Sequence, residues 1–262
     1  MLQIAVAIRS ERGTRKSNED KVRVCRKGTR WIAVLADGAG GHLGGAEASR
    51  RAVDELESAL EDADADFSAQ SLTRAVRAAH AHVQRAQEDD AEGLGRMHST
   101  IVALWIDTAR GGALWSHVGD SRLYRARHGV LDLLTADDSV VQRMVDAGLL
   151  TPEQAETHPQ KNQLISALGI EDEIEPHTLV RPDALEEGDA YLLCSDGWWS
   201  SLDVPFVTAT LAAAGTPEEW LMLMQRRIEQ QELPRQDNFS AIGVWIDDPA
   251  EATRPMGWVG DA

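Results

Sequence analysis

The sequence predicts an α+β fold in which antiparallel sheets carry helices on their outer faces. Three observations lead there. Strand-like and helix-like segments come in blocks, not in strict β-α-β alternation. Short apolar runs are joined by hairpin signals such as Ala109-Arg110-Gly111-Gly112. Four aspartates stand where such runs meet loops: Asp37, Asp120 and Asp196 leave a run, and Asp237 enters one. Exits and entrances of antiparallel strands can share one edge, so the four carboxylates are expected together. Such a cluster repels itself and resists desolvation. A divalent cation relieves both, and a set of hard oxygen donors selects Mg²⁺ or Mn²⁺ over zinc.

Residues 2–9 and 21–36 read as strands, separated by a polar stretch containing Gly13. A glycine-rich loop follows Asp37. Helical spacing of apolar residues then predicts helices over 46–60 and 69–86, with an acidic loop over 85–95. Residues 99–134 return to strand patterning, and 137–147 are expected to be helical. Thr151-Pro152-Glu153 reads as a helix cap, with proline and an acid in the first turn. The polar segment 140–170 is expected to form a flap outside the core. Strands resume at 177–180 and 190–195, a helix runs from Thr216 to about Gln231, and 239–246 is the last strand. One domain over 1–247 is expected, followed by a C-terminal tail, 248–262. Arg122, Arg125 and Arg127 are expected on a solvated strand face, and the tryptophans in the core.

The 262 residues are 43% apolar, enough for a core. The net charge is −17, with 43 acidic against 26 basic side chains. That argues against nucleic acid as a partner, because phosphate backbones need a basic surface. No apolar run approaches the ~20 residues of a membrane span. The N-terminus reads as a strand, not a signal peptide. Cys25 and Cys194 imply no disulfide framework, so the reducing cytoplasm is the expected compartment.

The motifs together resemble a known family. Gly13-Thr14-Arg15-Lys16-Ser17-Asn18-Glu19-Asp20, Ala36-Asp37-Gly38-Ala39-Gly40-Gly41-His42, Val118-Gly119-Asp120-Ser121-Arg122, Cys194-Ser195-Asp196-Gly197 and Gln236-Asp237-Asn238-Phe239-Ser240 are similar, in order, to motifs of the type-2C metal-dependent protein serine/threonine phosphatases, bacterial ones especially. Leu134 through Gly169 resembles that family's flap region. Any one motif alone is weak; six in order are not.

The resemblance implies a four-layer αββα sandwich of two antiparallel sheets. It implies two core Mn²⁺ or Mg²⁺ ions and a third, weaker one. Asp37 is expected to bridge the core pair, with the Gly38 carbonyl, Asp196 and Asp237 as further ligands. Asp120, with Asp196, is expected to hold the third ion. Glu19, Asp20 and Asn238 are expected to contact metal-bound waters. Arg15 matches the phosphate-binding arginine, and its planar fork suits two phosphate oxygens. His42 is the candidate general acid for the departing serine or threonine oxygen. The implied partners are phosphorylated proteins and an opposing serine/threonine kinase.

Three positions depart from the family pattern. His98 replaces a usual glycine, Asp138 replaces a usual histidine, and Trp198-Trp199 is bulkier than in many relatives. Two rival readings are a non-catalytic binding module on the same fold and a phosphoesterase acting on small molecules. Degenerate modules lose metal aspartates or the arginine; here all are present.

Overall fold

The structure is a computed structural model and describes residues 2–39, 43–62, 65–89 and 96–247. The chain begins with β1 (Gln3–Glu11), β2 (Asp20–Lys27) and β3 (Arg30–Ala39), followed by helices α1 (Leu43–Glu61) and α2 (Ala69–Glu88). Five strands come next: β4 (His98–Ser99), β5 (Ile101–Asp107), β6 (Gly112–Val118), β7 (Arg122–Arg127) and β8 (Val130–Leu133). Short helices α3 (Val140–Asp146) and α4 (Pro152–Glu156) precede β9 (His177–Thr178), β10 (Asp183–Ala184) and β11 (Ala190–Cys194). The last elements are α5 (Asp196–Trp199), α6 (Val204–Ala213), α7 (Pro217–Glu229) and β12 (Phe239–Asp247).

Two sheets result. One has the order β1-β12-β11-β7-β8; the other runs β10-β6-β5-β3-β2, with β4 added to β3 and β9 to β6. Every pairing is antiparallel. The sandwich implied by the motifs is borne out.

Alternation along the strands separates three apolar layers. In β3, Ile32, Val34 and Ala36 pack under α1 and α2, whereas Ala33 and Leu35 face the other sheet. β5 repeats the pattern, with Ala103 and Trp105 outward and Val102, Leu104 and Ile106 inward. In β12, Ala241 and Trp245 meet α6 and α7, while Ile242, Val244 and Ile246 face between the sheets. Both faces of the central strands are covered, so their sequences read as unbroken apolar runs. Each fully buried leucine or isoleucine contributes about 2 kcal/mol relative to exposure.

Local signals fix several ends. Thr216 accepts the Glu219 N–H to start α7, with Pro217 in its first turn and Arg226 and Arg227 in its last. Thr151 and Gln154 form a reciprocal capping box on α4. The expected strand over 21–36 is instead a hairpin turning at Gly28 and Thr29. The expected helix over 137–147 begins only at Val140, capped by Ser139. Helix α6 was not foreseen.

The three arginines of β7 are not on a solvated face. Arg122 and Arg125 are three residues apart, so they point to opposite faces. Arg125 pairs with Asp132 and Asp183; Arg127 pairs with Asp183, Glu186 and Asp189. Asp183 belongs to the other sheet, so this ladder ties the sheets together at the end of β7 away from Arg122. Among the described residues, no helix is long and apolar enough to cross a membrane. The tail 248–262 lies outside the described residues.

Candidate active site

Register places the first two carboxylates. Asp20 opens β2 directly opposite Asp37 on β3. Counting by twos, Asp37 shares the inward face with Ala33 and Leu35, and Asp20 shares it with Val22 and Val24. Asp120 follows β6, Asp196 follows β11 as the first residue of α5, and Asp237 stands just before β12. Asp37 and Asp120 therefore come from one sheet, and Asp196 and Asp237 from the other. They meet at one end of the sandwich rather than on one sheet edge, because tertiary packing, not strand pairing, joins them. Asp37 lies in the field of Asp20, Asp196, Asp120 and Asp237 together.

Hydroxyls and backbone amides brace this cluster. The Asp37 N–H donates to Thr100 Oγ1 at 2.9 Å, and the Thr100 N–H returns to the Asp37 carbonyl at 2.8 Å. Thr100 Oγ1 is 2.7 Å from Ser121 Oγ, beside Asp120. Ser195 Oγ donates to Asp20 Oδ2 at 2.8 Å and accepts the Ser240 N–H at 3.0 Å. The Trp199 indole N–H donates to the Asp120 carbonyl at 2.9 Å. Trp199 itself lies under the Arg122 guanidinium, 3.5 Å from ring centre to Cζ, and Arg122 holds Asp137 with two hydrogen bonds. Ser121 and Ser195 lay inside motifs, but nothing in the sequence gave their hydroxyls, or that of Thr100, a bracing role.

Burial, then mutual repulsion, pushes these carboxyl groups up. Asp20 rises to about 7 despite hydrogen bonds from serines, and Asp120 to about 8. Asp196 rises to about 6, with Asp237 the chief charged cause. Asp37 is raised well above the usual range, although it keeps some solvent-accessible surface. Asp20 Oδ1 is buried with no hydrogen-bond partner. An oxygen-only set with an orphaned carboxylate oxygen and surplus negative charge fits hard divalent cations. It does not fit zinc, which prefers nitrogen and sulfur.

Of the remaining expected residues, those described lie around the cluster. Arg15 is exposed and reaches Asp237 Oδ2 at 2.5 Å; Asp237, Glu19 and Asp196 all favour its charged form. Asn238 Oδ1 accepts the Glu19 N–H at 2.9 Å, and its amide donates to the carbonyls of Arg12 and Ser17. Asn238 thus ties the 12–20 loop to the start of β12. Gly38 accepts no side chain: a Cβ there would lie 2.1 Å from the Gly45 carbonyl oxygen, which brings the first turn of α1 against the site. His98 pairs with Ala39 at the end of β3 and is partly buried. His42 lies outside the described residues.

A second group of donors sits elsewhere. Cys25, Glu57 and Glu61 bring one donor atom each within 4.8 Å of one another. Burial and the two glutamates push the Cys25 thiol up to about 12, so it stays protonated at neutral pH. Glu57 is already paired with Arg23.

The sequence profile described as "Protein phosphatase 2C" matches residues 9–236. The chain belongs to the protein phosphatase 2C family. It is 41% identical over 199 residues to the serine/threonine protein phosphatase PstP of Mycobacterium tuberculosis, covering 75% of this chain and 36% of that protein. The chain thus spans about a third of that relative's length. It is 38% identical over 193 residues to protein phosphatase PhpP of Streptococcus pneumoniae, covering 70% of this chain and 74% of the relative. The crystal structure of the PstP catalytic domain in complex with two manganese ions superposes with a TM-score of 0.80 at 30% identity, covering 95% of this chain and all of the other. The family and fold read from the motifs are those found.

Proposed function

We propose that this member of the protein phosphatase 2C family is a metal-dependent protein serine/threonine phosphatase. The observation that carries the reading is the gathering of Asp20, Asp37, Asp120, Asp196 and Asp237 around one end of the sandwich, with Arg15 as the cation beside them. Asp37, the Gly38 carbonyl, Asp196 and Asp237 would hold two divalent cations, Mn²⁺ or Mg²⁺. Asp120 and Asp196 would hold a third, weaker one. Bound there, such ions lower the pKa of water and stabilise the oxygens of an in-line displacement.

The chain's own groups supply the rest. Glu19 and Asp20 would contact metal-bound water, and Asn238, whose amide donors go to Arg12 and Ser17, would reach such water only through Oδ1. Arg15 grips two phosphate oxygens with its planar fork and offsets their charge. His42 keeps its sequence-based assignment as the acid that protonates the departing oxygen. The partners are phosphorylated serine and threonine proteins and the kinase that makes them. The charge of −17 disfavours nucleic acid as a partner. Two free cysteines suit a cytoplasmic site of action.

The test is Mn²⁺-dependent hydrolysis of a phosphothreonine peptide. Asp37→Asn and Asp196→Asn should abolish it with the fold intact by circular dichroism. Wild-type rates in either variant would overturn the assignment. Preference for a sugar phosphate or nucleotide over the peptide would instead favour the small-molecule reading.

A further inference from the structure

Asp138 links four parts of the chain. Its Oδ2 accepts the Gly119 N–H at 2.9 Å, and its own N–H donates to the Gly119 carbonyl at 3.0 Å. Its Oδ1 lies 2.9 Å from His177 Nε2. Its carbonyl accepts the Ile165 N–H at 2.8 Å, where the 140–164 segment returns to the body. Asp138 is buried, at 8% exposure, whereas the His177 side chain is half exposed. The His177 ring stacks on His117, centroids 4.9 Å apart, and His117 Nε2 lies 2.8 Å from the Ala136 carbonyl. The imidazole is therefore held in place from behind.

The residue so gripped has little room. Gly119 has φ +97, and a Cβ there would lie 2.7 Å from the Thr100 methyl. Asp120 comes next, and its carbonyl is fixed from the other side by Trp199. A carboxylate split between a backbone N–H and an imidazole is oriented at both oxygens, so its grip on Gly119 depends on His177. Partners one shell out from a ligand set its orientation, and their loss costs roughly 10–100-fold in metal affinity.

We propose that Asp138, oriented by His177, is a positioning residue that fixes the Gly119–Asp120 turn and so sets the affinity of the weaker cation site. The inference rests on the reading above that Asp120 contributes to such a site. It assigns a task to two residues, 39 positions apart, that no motif joins.

The experiment titrates the metal-free full chain with Mn²⁺ by calorimetry, without substrate. His177→Ala, at a half-exposed side chain, should weaken the weakest binding step roughly tenfold and leave the tighter steps within about twofold. Asp120→Asn should remove the weakest step. Exchanging the pair, Asp138→His with His177→Asp, should recover most of the lost affinity, because a neutral imidazole can accept from Gly119 while donating to the new carboxylate. If Asp120→Asn removes the step but His177→Ala does not weaken it, the positioning role is overturned and the phosphatase reading stands. If Asp120→Asn leaves every step intact, the cation role of Asp120 fails, and this inference with it. Equal weakening of all steps by His177→Ala, with no recovery in the exchanged pair, shows a general structural role and also overturns the proposal.

Discussion

Ser195 of one sheet donates its hydroxyl proton to Asp20 of the other, at 2.8 Å. The bond crosses the sandwich at the end where the carboxylates meet, and its acceptor is a buried, crowded acid. A hydrogen bond to a charged group contributes about 1.5–3 kcal/mol. Ser195→Ala should therefore destabilise the metal-free protein by about 2 kcal/mol in urea unfolding at pH 8, where Asp20 is mostly ionised. The loss should shrink at pH 5, where Asp20 is protonated. A loss equal at both pH values would show that the hydroxyl serves packing alone.

The raised carboxyl groups give metal binding a defined pH dependence. A carboxyl whose folded pKa exceeds its unfolded value of 3.8 favours the folded state when protonated. Its contribution is complete below that value. It fades as pH rises through about 6 for Asp196, 7 for Asp20 and 8 for Asp120. Metal-free protein should thus lose thermal stability from about pH 5 to about pH 8, and the rise in Tm on adding Mn²⁺ should grow over the same range. Ligands must shed protons to bind, so Mn²⁺ should release protons at pH 6 and fewer at pH 9. Calorimetry in buffers of differing ionisation enthalpy measures this; no release at pH 6 would contradict the account.

Two glycines that touch should respond differently to alanine. At Gly38 the new methyl meets the Gly45 carbonyl at 2.1 Å, a backbone atom. At Gly45 it meets Glu19 Oε2 at 2.1 Å, the movable end of a side chain, and the Gly38 carbonyl at 2.9 Å. Gly38→Ala should cost about 3 kcal/mol or block folding. Gly45→Ala should cost less stability but lower activity by displacing Glu19. Thermal melts and peptide turnover on both variants separate the effects, and a reversed order would refute the packing argument.

Arg15→Lys keeps the charge and removes the fork. Loss of one charge-assisted contact is worth about 2 kcal/mol, roughly thirtyfold in kcat/KM. Mn²⁺ binding should change little. A lysine variant with an unchanged kcat/KM would rule out bidentate contact with phosphate.

Much of this was legible in the sequence because an aspartate at either end of an apolar run marks a strand end whatever the partner strand. Asp37, Asp196 and Asp237 stood out for that reason, and α7 and α4 announced themselves through Thr216-Pro217 and Thr151-Pro152. What failed depended on distance or on composition. Helix α6 is apolar around its circumference and rich in β-branched residues, so no stripe revealed it. Its signals were only Asp203, which accepts the Phe206 N–H, and Pro205. The division of the aspartates between two sheets, the Arg127–Asp183 tie and the Asp138–His177 pair all join residues far apart in sequence. No local pattern encodes them.

The carboxylates are carried by two separate leaves, so their spacing depends on what lies between those leaves. Leu35, Leu104, Leu193 and Ile242 are fully buried in that gap, among the residues that fill it. They act as a calibrated shim: thinning it by a methyl or two, well away from any polar atom, would let the leaves settle and alter the distances on which the chemistry depends.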